Sequence, residues 1–115
     1  ISTDLHTMNI NGPVYDMPTT MSKFLTLGLS LERVVEMSTA RPAQILNKAN
    51  DLGTLKVGTI ADIAVLERLT GDFVLSDCNQ QTRPASEVLI AATTVRRGEI
   101  VPGGGGRRMV RLAEK

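Results

Sequence analysis

The hydrophobic period of this chain changes near Asn50, and that change limits its fold more than any other feature. Before it, Met21, Phe24, Leu25 and Gly28 stand at i, i+3, i+4 and i+7. This is the spacing of one helix face, with Gly28 placed to close it. Ser30 follows as an N-cap, with Glu32 in a first turn where the helix dipole favours a carboxylate. Leu31, Val34, Val35 and Ser38 continue the helical spacing. Arg41 precedes a proline, which disfavours helical angles, so a break is expected there and a short third helix from Pro42 through Asn47. These helices are expected to pack on one another or on a sheet missing from the chain.

After Asn50 the pattern is that of strands. "DIAVLE" (62–67) is a continuous apolar run that predicts a strand buried on both faces. A turn is expected at Thr70-Gly71, before "DFVLSD". "EVLIAATTVRRGEIV" is rich in β-branched residues, and Arg97-Gly98 predicts a tight turn between its last two strands. Helices first and strands second is the order of an α+β chain. From residue 102 the sequence reads "PGGGGRRMVRLAEK". It lacks the Lys-Ser/Thr of a phosphate-cradling loop and predicts a flexible basic tail over 102–115.

Composition narrows the function classes. Tyr15, Phe24 and Phe73 are the only aromatic residues, so any core rests on aliphatic side chains. The net charge is +1 over 115 residues, but the basic excess sits in the tail and residues 1–106 are slightly acidic. A nucleic-acid partner is therefore not expected. No apolar run reaches the ~18 residues of a membrane span, so no membrane partner is expected either. No secretory leader is visible at the start, and the single Cys78 fits a reducing, cytoplasmic setting. Cys78 is expected as a small structural hydrophobe. Met8, Met17, Met21 and Met37 are expected to pack in apolar surroundings.

The opening "ISTDLHTMNINGPVYD" gathers the residues with the most chemistry to offer. Ile1 to Asp4 reads as a strand end and the rest as a polar loop. Asp4 suits a cap or turn, since aspartate readily accepts backbone hydrogen bonds after a strand. His6 shares a strand face with Asp4 by its i+2 spacing. Gly12-Pro13 either sets a turn or lines the mouth of a pocket, and Asp16 is placed to cap the helix that follows.

"STDLHTMNINGPVYDMPTTMSKFLTLGLSLERVVEMSTARPAQIL", followed by "GTLKVGTIADIAVLE", resembles the C-terminal end of the amidohydrolase superfamily of metal-dependent hydrolases. The nearest likeness is to its dihydroorotase-like and deacetylase-like branch, and it extends over residues 1 to about 101. It implies an α+β fragment: over 1–50 the last strand and closing helices of a metal-dependent (β/α)8 barrel, and over 51–101 part of a small composite β-sandwich. It also implies that Asp4 ligates a divalent metal and takes the proton of the metal-bound water. His6, Gly12 and Pro13 would lie at the substrate. The substrate class implied is a small-molecule amide, cyclic amide or ester, with one or two zinc ions in the parent enzyme. The other metal ligands of the family are expected upstream, so the isolated chain is expected to be inactive and to hold no tightly bound zinc. The strands near 62–67 and 88–101 lack neighbours, which predicts a homo-oligomer. The rival expectation is a non-catalytic oligomerisation or interaction module that pairs through an open sheet edge.

Overall fold

The computed structural model describes residues 1–103. The glycine-rich basic tail expected at 102–115 lies outside the described residues from position 104 onward. Three helices, α1 (Met17–Thr26), α2 (Leu31–Ser38) and α3 (Ala40–Ile45), precede three strands, β1 (Ile63–Ser76), β2 (Thr82–Arg96) and β3 (Glu99–Ile100). The strands form one antiparallel sheet in the order β1-β2-β3.

Local chemistry explains where α1 and α2 begin and where α1 ends. The Asp16 carboxylate accepts from the Thr19 N–H at 2.8 Å and so satisfies one orphan donor of α1. At the other end Gly28 takes φ 97. The Gly28 N–H returns to the Leu25 carbonyl and the Leu29 N–H to that of Phe24. That pair of bonds is the Schellman closure that a glycine permits. Ser30 caps α2 by accepting from the Arg33 N–H at 3.2 Å.

The third helix departs from expectation. The chain breaks at Thr39 (φ −131, ψ −80) rather than at Arg41, and Pro42 occupies the third position of α3, not the first. A proline ring clashes with the carbonyl four residues earlier, here that of Ser38. The helix is therefore interrupted upstream of the proline, and α3 starts early enough for Pro42 to fall among positions that need no intrahelical N–H.

The sheet differs from expectation in three ways. Ile1–Asp4, expected as a strand end, forms no strand, because none of the three described strands lies alongside it. Thr70-Gly71 is not a turn. β1 runs through it, and the pairing passes from Thr70↔Glu87 to Phe73↔Ala85, a bulge with one extra residue on β1. The reversal comes later, where the Asp77 carboxylate accepts from the N–H groups of Asn79 (2.8 Å) and Gln81 (2.9 Å). Nor is "DIAVLE" buried on both faces: Ala64 is exposed and Val65 is 47% exposed, since the helices pack mainly against β2 and leave much of β1 uncovered. The Arg97-Gly98 turn is as expected, with φ 48 and 83, both positive as a two-residue hairpin of this hand requires.

β2 is the central strand, and its neighbours Val88 and Leu89 serve two different cores. Leu89 packs with Met21, Leu25 and Val34 of the helices, while Val88 packs with Phe73, Leu75 and Ala85 of the hairpin. Successive side chains on a strand point to opposite faces, so one dipeptide closes both clusters. Ser22 fastens the helices to the sheet. It is fully buried, donates to the Pro18 carbonyl at 2.7 Å and accepts from the Leu89 N–H at 2.8 Å. The helices thus find a sheet within their own chain.

Candidate functional site

The loop from Asp4 to Asp16 joins the start of the chain to α1, and it is held mostly by bonds within itself. Asp4 adopts φ 51, the left-handed region, which aspartate visits more readily than most residues. The residue is exposed, and its carboxylate makes no hydrogen bond among the described residues. Its carbonyl accepts from the Asn9 side-chain amide at 3.0 Å. His6 is exposed too; its Nδ1 accepts from the Met8 N–H at 3.2 Å. In the neutral ring the proton then lies on Nε2, which is left to donate outwards.

Asn9 links the two halves of this loop. Its side-chain oxygen accepts from the His6 N–H at 2.8 Å. Its own N–H donates to the His6 carbonyl at 3.1 Å. Its carbonyl accepts from the N–H groups of Gly12 (3.1 Å), Val14 (3.3 Å) and Tyr15 (3.4 Å). Gly12 stands at φ 130 under the Tyr15 ring, where a Cβ would come within 2.8 Å of the phenol oxygen. Only glycine fits there. The Gly12-Pro13 peptide bond is cis. The Pro13 carbonyl does not face outwards; it accepts from the Lys23 Nζ of α1 at 2.8 Å. Burial lowers the pKa of Lys23 from its ordinary value, against the opposing pull of Asp77 and Cys78.

The four residues expected at the site therefore share one loop, and Asp4, His6 and Gly12 are joined through Asn9. Neither Asn9 nor Lys23 was expected. Asn9 stands three residues after His6, a spacing at which an Asn side chain can bond back to the backbone. Lys23 carries no such local signal. A cleft of about 350 Å³ lies elsewhere, between α1 and the Asp77–Gln81 turn, lined by Lys23, Leu27, Leu75, Asp77 and Arg83 among others. It contains none of Asp4, His6, Gly12 or Pro13, and the chemistry of the loop is the better guide to a site.

Among the described residues no three His, Cys, Asp or Glu side chains gather closely enough to hold a metal ion. A zinc site needs three or four protein ligands, and Asp4 can offer one. These residues do not fit a metal centre by themselves. Two further expectations fail on burial. Cys78 is exposed on the β1–β2 turn, whose polar reversal turns it outwards instead of into a core. Met8 is 88% exposed, because the loop that carries it packs on nothing at that point.

Residues 1–101 match the amidohydrolase family. The chain is 36% identical over 101 residues to a deacetylase of Enterococcus faecalis, covering 87% of this chain and 27% of that protein. It is also similar to the crystal structure of an adenine deaminase (TM-score 0.81, 35% identity) and to that of a dihydroorotase (TM-score 0.76, 33% identity). Each structural match covers 87% of this chain and 27% of the other. The chain thus spans about a quarter of the length of the proteins it resembles.

Proposed function

Because the chain belongs to the amidohydrolase family, we propose that it supplies the C-terminal part of a hydrolase that cleaves a C–N bond of a small-molecule amide or cyclic amide, or the related ester bond. The observation that carries this reading is Asp4. An exposed carboxylate with no hydrogen bond among the described residues stands on a loop that is braced by its own side chains. Such a carboxylate can take the proton of an attacking water and return it to the leaving nitrogen or oxygen. His6, whose Nε2 points away from its Nδ1 bond, and the Gly12-Pro13 segment would border the substrate.

In this reading residues 1–50 close a (β/α)8 barrel and residues 51–101 contribute to a small β-sandwich. One or two zinc ions are the cofactor of the complete enzyme, with Asp4 as one ligand and the others outside this chain. The isolated chain is then inactive, and the enzyme works in the cytoplasm. Replacing Asp4 by Asn in the full-length enzyme tests the proposal. Turnover is expected to fall by about 10²–10⁴-fold, the usual worth of a general acid–base group. Near-wild-type turnover would remove Asp4 from the chemistry.

A second reading, a non-catalytic oligomerisation module, draws on Leu55 and Val57, which are 80% and 98% exposed. Light scattering separates it from a bare fragment: a strictly monomeric chain at high concentration would dismiss it.

A further inference from the structure

We propose that Asn9 is a positioning residue for Asp4, and that its side chain acts as a clamp on the backbone from which that carboxylate projects. The inference rests on the proposed role of Asp4 in proton transfer. Three observations carry it. Asp4 sits in the left-handed region, which aspartate visits more readily than most residues but at a backbone cost that a local hold offsets. The Asn9 side-chain N–H bonded to the Asp4 carbonyl at 3.0 Å supplies that hold. The same amide accepts from the His6 N–H at 2.8 Å, so its two bonds bracket Leu5, immediately C-terminal to Asp4. One planar group therefore holds the two peptide planes that follow Asp4, and with them the backbone from which its side chain projects.

The backbone of Asn9 does a separate job. Its carbonyl gathers the N–H groups of Gly12, Val14 and Tyr15, and its N–H meets the His6 carbonyl. No change of side chain removes those bonds. Asn9 is not among the non-glycine residues with positive φ, so another residue can take its place without backbone strain. A substitution at position 9 thus releases Asp4 and leaves the rest of the loop tied.

The experiment compares Asn9→Ala and Asn9→Asp with the unmodified full-length enzyme, using 4-nitrophenyl acetate as an activated acetyl ester. Asn9→Ala loses both side-chain bonds. Asn9→Asp keeps an acceptor for the His6 N–H but has no donor for the Asp4 carbonyl. Both variants are expected to lose kcat by about 10–100-fold, as misplacement of a reacting group does, with KM changed less than about threefold. Thermal midpoints should remain close to that of the parent.

Full activity in Asn9→Asp alone would show that only the His6 bond matters and would overturn the clamp. So would a rise in KM at constant kcat, which would make Asn9 a substrate contact. Loss of folding in both variants, seen as a lost cooperative transition, would show Asn9 to be a structural residue and equally overturn it. Asp4→Asn, assayed alongside, separates the two ideas. Normal turnover in Asp4→Asn rejects the role of Asp4 whatever position 9 does. Loss in Asp4→Asn with normal kcat in both Asn9 variants rejects the clamp alone.

Discussion

Two long connections in this molecule take their shapes in different ways. The loop from Asp4 to Asp16 is shaped from inside, by an asparagine that uses its side chain and both backbone groups to tie its neighbours together. The connection from α3 to β1 has internal braces too, with Thr59 donating to the Thr54 and Lys56 carbonyls and the Ile60 N–H to that of Asp51. It is also anchored on other elements at both ends. Near one end Gly53 lies against α3, and at the other the Ala61 carbonyl and Asp62 carboxylate accept from the N–H groups of Gly98 and Arg97. Between those anchors Leu55 and Val57 face solvent. The first loop carries Asp4, His6, Gly12 and Pro13, and the second joins α3 to β1.

The largest effect should come from removing an outside anchor. Gly53 has φ 90, and a Cβ there would meet the Thr39 carbonyl oxygen at 2.8 Å and the Ala43 Cβ at 2.7 Å. Gly53→Ala combines left-handed strain with overpacking against backbone, so it should cost about 2–5 kcal/mol of stability. Chemical denaturation checks this. A loss below about 0.5 kcal/mol, the scale of an ordinary surface change, would show that the connection can lift off α3 and is not pinned from outside.

A smaller effect is expected where the inside-braced loop meets α1. Asp16→Ala removes the cap on the Thr19 N–H and should lower stability by about 1 kcal/mol. It should leave the bonds around Asn9 intact. Amide exchange at Gly12 and Tyr15 checks that point: faster exchange there would mean that the loop depends on the helix after all.

The smallest effect concerns Lys23, whose Nζ reaches from α1 to the Pro13 carbonyl of this loop. Burial holds its folded pKa below the ordinary 10.5. Between the lowered folded value and 10.5 the unfolded chain binds more protons than the native one, so stability rises with pH across that window. Below the window the buried charge is a constant cost. Wild type should therefore gain midpoint temperature relative to Lys23→Met as pH rises towards 10.5. A gap between the two that does not change with pH would show that the lysine keeps its full solvation.

What could be read from the sequence was what short-range chemistry decides. Asp16, Gly28 and Ser30 mark helix ends through bonds to backbone a few residues away, and Arg97-Gly98 marks its hairpin in the same way. Thr70-Gly71 misled because a glycine beside a polar residue suits a turn and a bulge alike. Only the pairing of β1 with β2 decides between them. Pro42 reads as a breaker, but its effect falls on the carbonyl four residues earlier, which moves the boundary. At the site, the resemblance drew attention to Asp4, His6, Gly12 and Pro13. The groups that hold them were less legible: the Lys23–Pro13 bond spans ten positions and exists only once α1 has been laid beside the loop.

The bond between Ser22 and the Leu89 N–H has a consequence in time. Its partners are 67 residues apart, and Met21 and Leu25 share their core with Leu89. During synthesis at about 5–20 residues per second, α1 exists for roughly 3–13 seconds before the strand that covers it has been made. Throughout that interval the apolar stripe of α1 has the Val34 side of α2 to pack on but not the strand that completes its core. A chaperone that grips short apolar helices would have its best opportunity to hold this chain there, before residue 89 leaves the ribosome.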